Sequence, residues 1–465
     1  MLVYNLDRKN IMKKTYIYNL IFASLLVGTI SSCKKALDIQ PKDTIEKGSA
    51  LLTSKDVEAA LTGTYSDLGN RNLYGGRPFL MADFLANTNA ILWSGTYQEL
   101  TQTINKSLLK SNVFVDNVWA QGYKTINDAN NVLSAIAKVD AAKKDRVEGE
   151  AKFIRGSVYF DLVRLFGKAY NDGSPTTNPG VPIVLTPTDV ISEASYVSRA
   201  TVAAVYQQAI TDLTDAEAKL PATNGFFATK YSAAAMLARL YLQMGNFTAA
   251  ANAADRVITS NKYNLTPTFR EAFPPQTGKP GANTTEDVFA MQVTTLTGFN
   301  GFNEFYGSST YGGRGDAAIS QTWIDATYST DDDRINSFYE DGDIFTIKFA
   351  NLYGNVSIIR LAELYLIRAE CNQRLAPAAP IGGQTPLQDL AVVRSRAGLT
   401  TTTATLADIL NERKLELSFE GFSLHDAKRT QTNIGTTNWN ANALVFPIPQ
   451  REMDANKNLV QNPGY

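Results

Sequence analysis

The chain has 465 residues, 19% of them charged and 10% aromatic, and a formal net charge of −1. That is the composition of a globular protein with a large core, and it excludes an intrinsically disordered chain. Residues 1–32 hold four basic groups (Arg8, Lys9, Lys13, Lys14) and one acidic group (Asp7), which leaves 40 basic against 44 acidic side chains in the remainder; a near-neutral, slightly acidic body argues against a nucleic-acid partner.

The N-terminal stretch has the layout of an export signal. Lys13-Lys14 precede an apolar run from Tyr16 to Val27, too short to span a bilayer comfortably, and Ile30-Ser31-Ser32 then lead into Cys33. Small residues before a cysteine resemble a bacterial lipobox, so residues 1–32 are expected to be a lipoprotein signal peptide, with Cys33 acylated after cleavage. Met12 is an alternative start, since residues 1–11 add nothing such a signal needs. Several acyl chains would tether the protein stably without spanning. Lys34, rather than Asp, follows the cysteine, so the expected destination is the outer membrane of a Gram-negative envelope. Cys371 is then left without a disulfide partner and is read as a small buried hydrophobe.

Beyond an extended lead at 37–43, the first helix is expected at 54–68, with Ser54 as N-cap and Val57, Leu61, Tyr65 and Leu68 on one face. From Gly69 to Thr103 the periodicity fades and Tyr74, Trp93 and Tyr97 lie among Gly, Asn, Ser and Thr, which reads as loop. Helical spacing returns at 118–139 and again at 145–166, where Gly167 stops it. Pro and Gly crowd 174–187, a surface excursion, before Thr201 caps a helix running to Leu220.

Leu237-Ala238-Arg239-Leu240-Tyr241-Leu242 and Leu361-Ala362-Glu363-Leu364-Tyr365-Leu366 are nearly the same hexad. The first copy is followed by Gly245-Asn246-Phe247 and by small residues at 249–254, a spacing that resembles the tetratricopeptide unit, in which a glycine turn reverses two closely packed helices. The second copy opens three helices, at 357–370, around 387–394 and at 406–420. The fold class expected is therefore mainly α, a scaffold of tetratricopeptide-like helical pairs with long loops and little β structure.

Between 263 and 333 the character changes. Residues 288–293 read as a short strand, and Phe299, Phe302, Phe305, Tyr306 and Tyr311 alternate with Gly, Asn and Ser. Such aromatics either anchor a loop or form a face that stacks on sugar rings or peptide side chains. Catalytic patterns are few. His425 is the only histidine, so a histidine-rich metal site is excluded, and a structural role is favoured over a catalytic one. Gly313-Arg314-Gly315 lacks the preceding strand a nucleotide loop requires, and Asp331-Asp332-Asp333 fits no calcium loop and reads as solvated charge.

Several motifs together resemble the SusD/RagB family of outer-membrane nutrient-uptake lipoproteins, over the whole chain from the lipobox to Tyr465. They are Leu37-Asp38 with Pro41, Ala60-Leu61-Thr62-Gly63-Thr64-Tyr65, Asp333-Arg334, the helix with Arg360, Glu363, Arg368 and Glu370, Val393-Arg394-Ser395-Arg396-Ala397-Gly398-Leu399, Glu412-Arg413 through Glu416 to Glu420-Gly421, Asp426 with Arg429, and Phe446-Pro447-Ile448-Pro449. Phe422-Ser423 departs from the His-Arg pair often seen there. The resemblance implies an N-terminal region at 33–290 and a C-terminal region at 291–465 packed as one body. It also implies a lid-like partner of a SusC-like TonB-dependent outer-membrane barrel that captures a glycan or, in some members, a peptide. No enzymatic activity, metal or cofactor is implied. By region, it points to Trp93, Tyr97, Phe302, Tyr306 and Tyr311 as ligand contacts, with Trp323 a lesser candidate. A lipid-anchored glycoside hydrolase and a protein-binding helical scaffold are the competing readings.

Overall fold

The computed structural model describes residues 51–296 and 298–465; Cys33 and the expected signal peptide lie outside the described residues. Helix α1 (Ser54–Leu68) spans the stretch expected, with its cap one residue earlier than the sequence signal. Thr53, not Ser54, is the N-cap, because its hydroxyl and the Asp56 carboxylate close a reciprocal capping box. The stretch expected as loop contains α2 (Arg77–Leu85), the strand β1 (Ile91–Trp93) and α3 (Gln98–Ile104). Every residue of α2 but Phe79 is buried, so it has no polar face and therefore no amphipathic period to read.

Long helices follow in hairpin succession: α4 (Val113–Ser134), α5 (Ala141–Phe166), α6 (Val202–Lys219), α7 (Lys230–Met244) and α8 (Phe247–Ile258). Each packs on the next, and α1 packs on α4. Close approach of α5 and α6 depends on Gly156, where an added Cβ would lie 2.9 Å from that of Asp212. The α7–α8 turn is built as its spacing predicts. Gly245 takes φ +75° at the end of α7, Asn246 caps α8 through the Ala249 N–H, and Ala250, Ala251, Ala253 and Ala254 are buried between helices.

An excursion then interrupts the array. It holds β2 (Asp287–Met291), α9 (Gly301–Tyr306), β3 (Ala317–Ile319), α10 (Gln321–Thr327), the β4 (Phe338–Asp341) and β5 (Asp343–Thr346) hairpin, and β6 (Val356–Arg360). Its strands make three two-stranded antiparallel pairs, β1 with β3, β2 with β6, and β4 with β5. The array resumes with α11 (Leu361–Leu375), which packs on α8, then α12 (Pro386–Ser395) and α13 (Leu406–Glu416), both against α11. Helices α14 (Ser423–Thr430) and α15 (Gln450–Ala455) finish the chain. The α13 helix stops short of its expected end at 420, and Phe419 sits at φ +66°. The described residues are thus mainly helical.

The repeated hexads occupy α7 and α11, the two neighbours of α8. Their third positions meet: Arg239 donates to Glu363 through Nε (2.9 Å) and Nη2 (2.6 Å), with both side chains buried. Around this pair the motif residues form two buried ionic clusters. In the larger, Arg360 donates to Glu286, Glu416 and Glu420 at 2.7–3.1 Å. Arg396 bridges Glu286 and Glu416. Arg334 joins Asp332 (2.8 Å) to Glu412 (2.5 Å), and Lys348 reaches Glu420 (2.6 Å) and the carbonyls of Glu416 and Ser418. Asp332, read from sequence as solvated charge, is buried here because Arg334 neutralises it. In the second cluster, Arg413 and Arg429 each donate to Asp426 at 2.7 Å, and Arg429 also holds Glu370.

Burial alone would raise the Glu416 carboxyl, but Arg396, Arg360, Arg334 and Lys348 outweigh it and hold it at about 2. A carboxylate depressed in the folded state stabilises above its ordinary value, and that stability is lost as pH falls from about 4.5 towards 2. Glu416→Gln is expected to cost about 3–5 kcal/mol in urea unfolding at pH 7, because it strands buried cations, and to flatten the acid limb of the stability profile. Gly245→Ala is expected to cost about 1 kcal/mol by thermal melting, from the left-handed backbone alone, since the nearest atom to the new Cβ is 4.0 Å away.

Candidate ligand face

The β1/β3 ribbon brings the loop after α2 to the loop before β3, with Trp93 opposite Ala317 and the Ser94 N–H donating to the Asp316 carbonyl at 2.9 Å. Trp93 is half-buried and fixed by its indole N–H, which donates to Thr101 Oγ1 at 2.9 Å, and by edge contacts with Phe84 and Phe305. Tyr97 packs edge-on against the same Phe305, ring centres 5.6 Å apart. The Arg314 guanidinium lies 5.0 Å from the Tyr97 ring centre and donates from Nε to Asp316 at 2.6 Å. Further along the same loop, Tyr311 stands edge-on to Tyr339, which neighbours Phe345. Trp93, Tyr97 and Arg314 thus form a partly exposed aromatic ridge carrying one guanidinium, and Tyr311, also partly exposed, stands further along the loop.

Phe302 and Tyr306 are not on it. They are 3% and 0% exposed, which corrects their assignment as ligand contacts. Asn300 caps α9 by accepting from the Phe302 and Asn303 N–H groups, and this short helix turns both rings inward. Phe302 stacks on Phe349 at 4.4 Å and 7°, and Tyr306 meets Phe349 and Phe419. Phe305, between them in sequence, is the buried support under both Trp93 and Tyr97. Aromatics interleaved with Gly and Asn concealed a short helix whose rings all serve the core.

Trp323 lies elsewhere, beside a cavity of about 450 Å³ at the start of β1, next to Ala90 and Ile91. Phe419, Phe422, Asp83, Arg413, Lys414 and Asp426 are among the other residues around it. These come from stretches of sequence hundreds of residues apart, so no local pattern marks them. Burial pushes the Asp83 carboxyl up to about 8, although the Gly421 N–H donates to its Oδ2 at 2.9 Å. Phe422, part of the departure from the His-Arg pattern, sits between the guanidinium groups of Arg239 (5.0 Å) and Arg413 (5.2 Å).

His425 is buried on α14, and burial, together with Arg164, Lys428 and Arg239, keeps its imidazole neutral. Cys371 is buried and its thiol is pushed up by burial. Among the described residues no group of three or more His, Cys, Asp or Glu is placed to hold a metal, and no helix is long and apolar enough to cross a membrane. Gly313 and Gly315 belong to the loop before β3 and do not join a strand to a helix.

Comparison with known proteins gives one consistent result. A family model described as starch-binding associating with outer membrane matches residues 37–242, and a model of the SusD family matches residues 346–445. The SusD-like protein P2 of Formosa agariphila is 26% identical, with 98% of this chain and 100% of that protein aligned. A SusD superfamily protein from Bacteroides thetaiotaomicron superposes with a TM-score of 0.76 at 26% identity, covering 88% of this chain and 100% of its own. A laminarin-binding SusD-like protein shares the fold, with a TM-score of 0.73 at 22% identity over 89% of this chain and 100% of its own.

The cavity carries its own pH signature. A carboxyl raised in the folded state contributes stability that is full below its unfolded value of 3.8 and declines as pH rises towards 8. The melting temperature of Asp83→Asn, relative to wild type, is therefore expected to climb between about pH 4 and pH 8; a flat difference across that window contradicts the assignment.

Proposed function

This chain belongs to the SusD family, and on that premise we propose that it is a lipid-anchored binding protein of the cell surface. It captures glycan fragments on the Trp93–Tyr97–Arg314 ridge, with Tyr311 further along the loop, and delivers them to a SusC-like TonB-dependent barrel in the outer membrane. The observation that carries this reading is the ridge itself: aromatic faces left partly open to solvent, with Trp93 and Tyr97 both backed by the buried Phe305. A pre-positioned ring loses little freedom when a sugar stacks on it, while Arg314 supplies donors for hydroxyl oxygens. Cys33 is the anchor, acylated after removal of residues 1–32, and the protein acts without bond-breaking chemistry, metal or cofactor. A peptide ligand in the same role, and a lipid-anchored glycoside hydrolase, are the alternatives.

A titration of laminarin oligosaccharides and a panel of other glycans and peptides, with product analysis of each hit, separates these. Binding without cleavage is expected. Trp93→Ala or Tyr97→Ala is expected to weaken it by up to about tenfold each, the worth of one stacked aromatic. Unchanged affinity in both variants removes the ridge from the site, and release of new reducing ends replaces the binding protein with a hydrolase.

A further inference from the structure

The cavity at Trp323 has a different character from the ridge. Its volume of about 450 Å³ falls within the roughly 300–1,000 Å³ of small-molecule sites, and it is concave where the ridge is open. Three aromatic side chains, Trp323, Phe419 and Phe422, border it. Trp323 is held by edge contacts with Tyr328 and Phe419 at 5.8 and 5.2 Å, so it is pre-positioned.

Its wall carries two cations, Arg413 and Lys414, and two acids, Asp426 and Asp83, the second with its carboxyl pushed up to about 8 by burial. Behind it the buried Arg239, Arg413 and Arg429 meet Glu363, Glu370 and Asp426, and the partly exposed Arg374 adds a fourth guanidinium at Glu370. Arg413 is 1% exposed; its Nε donates to Asp426 and its Nη2 lies 3.7 Å from Glu363, but neither Nη1 nor Nη2 makes a hydrogen bond. Asp426, the anion on the wall, is already shared by two guanidinium groups. At the rim Lys414 is exposed and makes no ion pair among the described residues. The unpaired Lys414 ammonium and the unsatisfied Nη donors of Arg413, beside low-dielectric aromatic walls, favour a negative ligand group.

We propose that this cavity is a second ligand site, taking a single sugar ring that bears a carboxylate, a hexuronate at the end or on a branch of a glycan. The ring's C–H face stacks on Trp323, the carboxylate lies towards Lys414 and Arg413, and Thr430 and Asn433 offer hydroxyl partners. Only the origin of this ligand, as part of a captured glycan, rests on the reading of the ridge given above.

Calorimetric titration of the purified protein with glucuronate, galacturonate, glucose and benzoate tests it. At least one uronate is expected to bind, at least about tenfold more tightly than glucose or benzoate. Trp323→Ala is expected to lower that affinity at least about tenfold. Lys414→Gln, a surface change with no burden on folding, is expected to weaken it by about three- to tenfold. Trp93→Ala leaves uronate affinity unchanged. The proposal is overturned if neither uronate binds at about 10 mM, if glucose or benzoate binds equally well, or if Lys414→Gln retains wild-type affinity. If Trp93→Ala and Tyr97→Ala proteins both keep uronate and oligosaccharide affinity, the ridge reading falls and this site stands.

Discussion

A charge buried in a protein interior must find its opposite, and this requirement fixes how the two parts of the chain meet. Arg360, at the end of β6, and Glu286, just before β2, come from the excursion; Arg396 follows α12, Glu416 ends α13, and Glu420 lies in the turn after it. Glu416 and Glu420 are neutralised further by Arg334 and Lys348, which also come from the excursion. Such pairs add little net stability over a well-packed apolar core, yet losing one partner is costly, so their effect is to forbid alternative packings. In this protein they forbid the excursion from docking on the helical array in any other register.

The aromatic ridge depends on that docking through a chain of contacts. Lys348 is tied to Glu420 and to the Glu416 and Ser418 carbonyls, which seats the adjacent Phe349 against Phe302 and Tyr306. These rings share α9 with Phe305, the support beneath Trp93 and Tyr97. The Glu420-Gly421 segment also binds Asp83 of α2, bringing the cavity at Trp323 under the same control. Both candidate sites are therefore surfaces of one ion-fastened junction, even though they lie at different places along the β1/β3 ribbon.

How much of this was legible follows from where the signals reside. Amphipathic period marked the long helices, and Gly245-Asn246 marked a turn that only a left-handed residue can make. The hexad repeat pointed to paired helices, though not to the ion pair at its third position, because complementarity between Arg239 and Glu363 appears only when α7 and α11 share a neighbour. Helix α2 was missed because a helix buried on all sides has no period. Phe302 and Tyr306 were placed on the ligand face because aromatics among Gly and Asn look alike whether they point out or in; the cap at Asn300 decides it. The motif arginines and glutamates were visible as a pattern, while their purpose as an internal fastening was not. Of the Trp323 cavity only Trp323 itself was singled out, as a lesser candidate, since the walls converge from residues 83–91, 323 and 410–434.

Hydrogen exchange of the wild-type protein and of Arg396→Met, read by mass spectrometry along the whole chain, tests the fastening most directly. If the buried ions hold the excursion to the array, the variant loses protection together in β2, β6, α9 and the β1/β3 ribbon, while α4, α5 and α6 keep theirs. Loss spread evenly over all helices, or confined to α12 beside the substitution, would contradict the account.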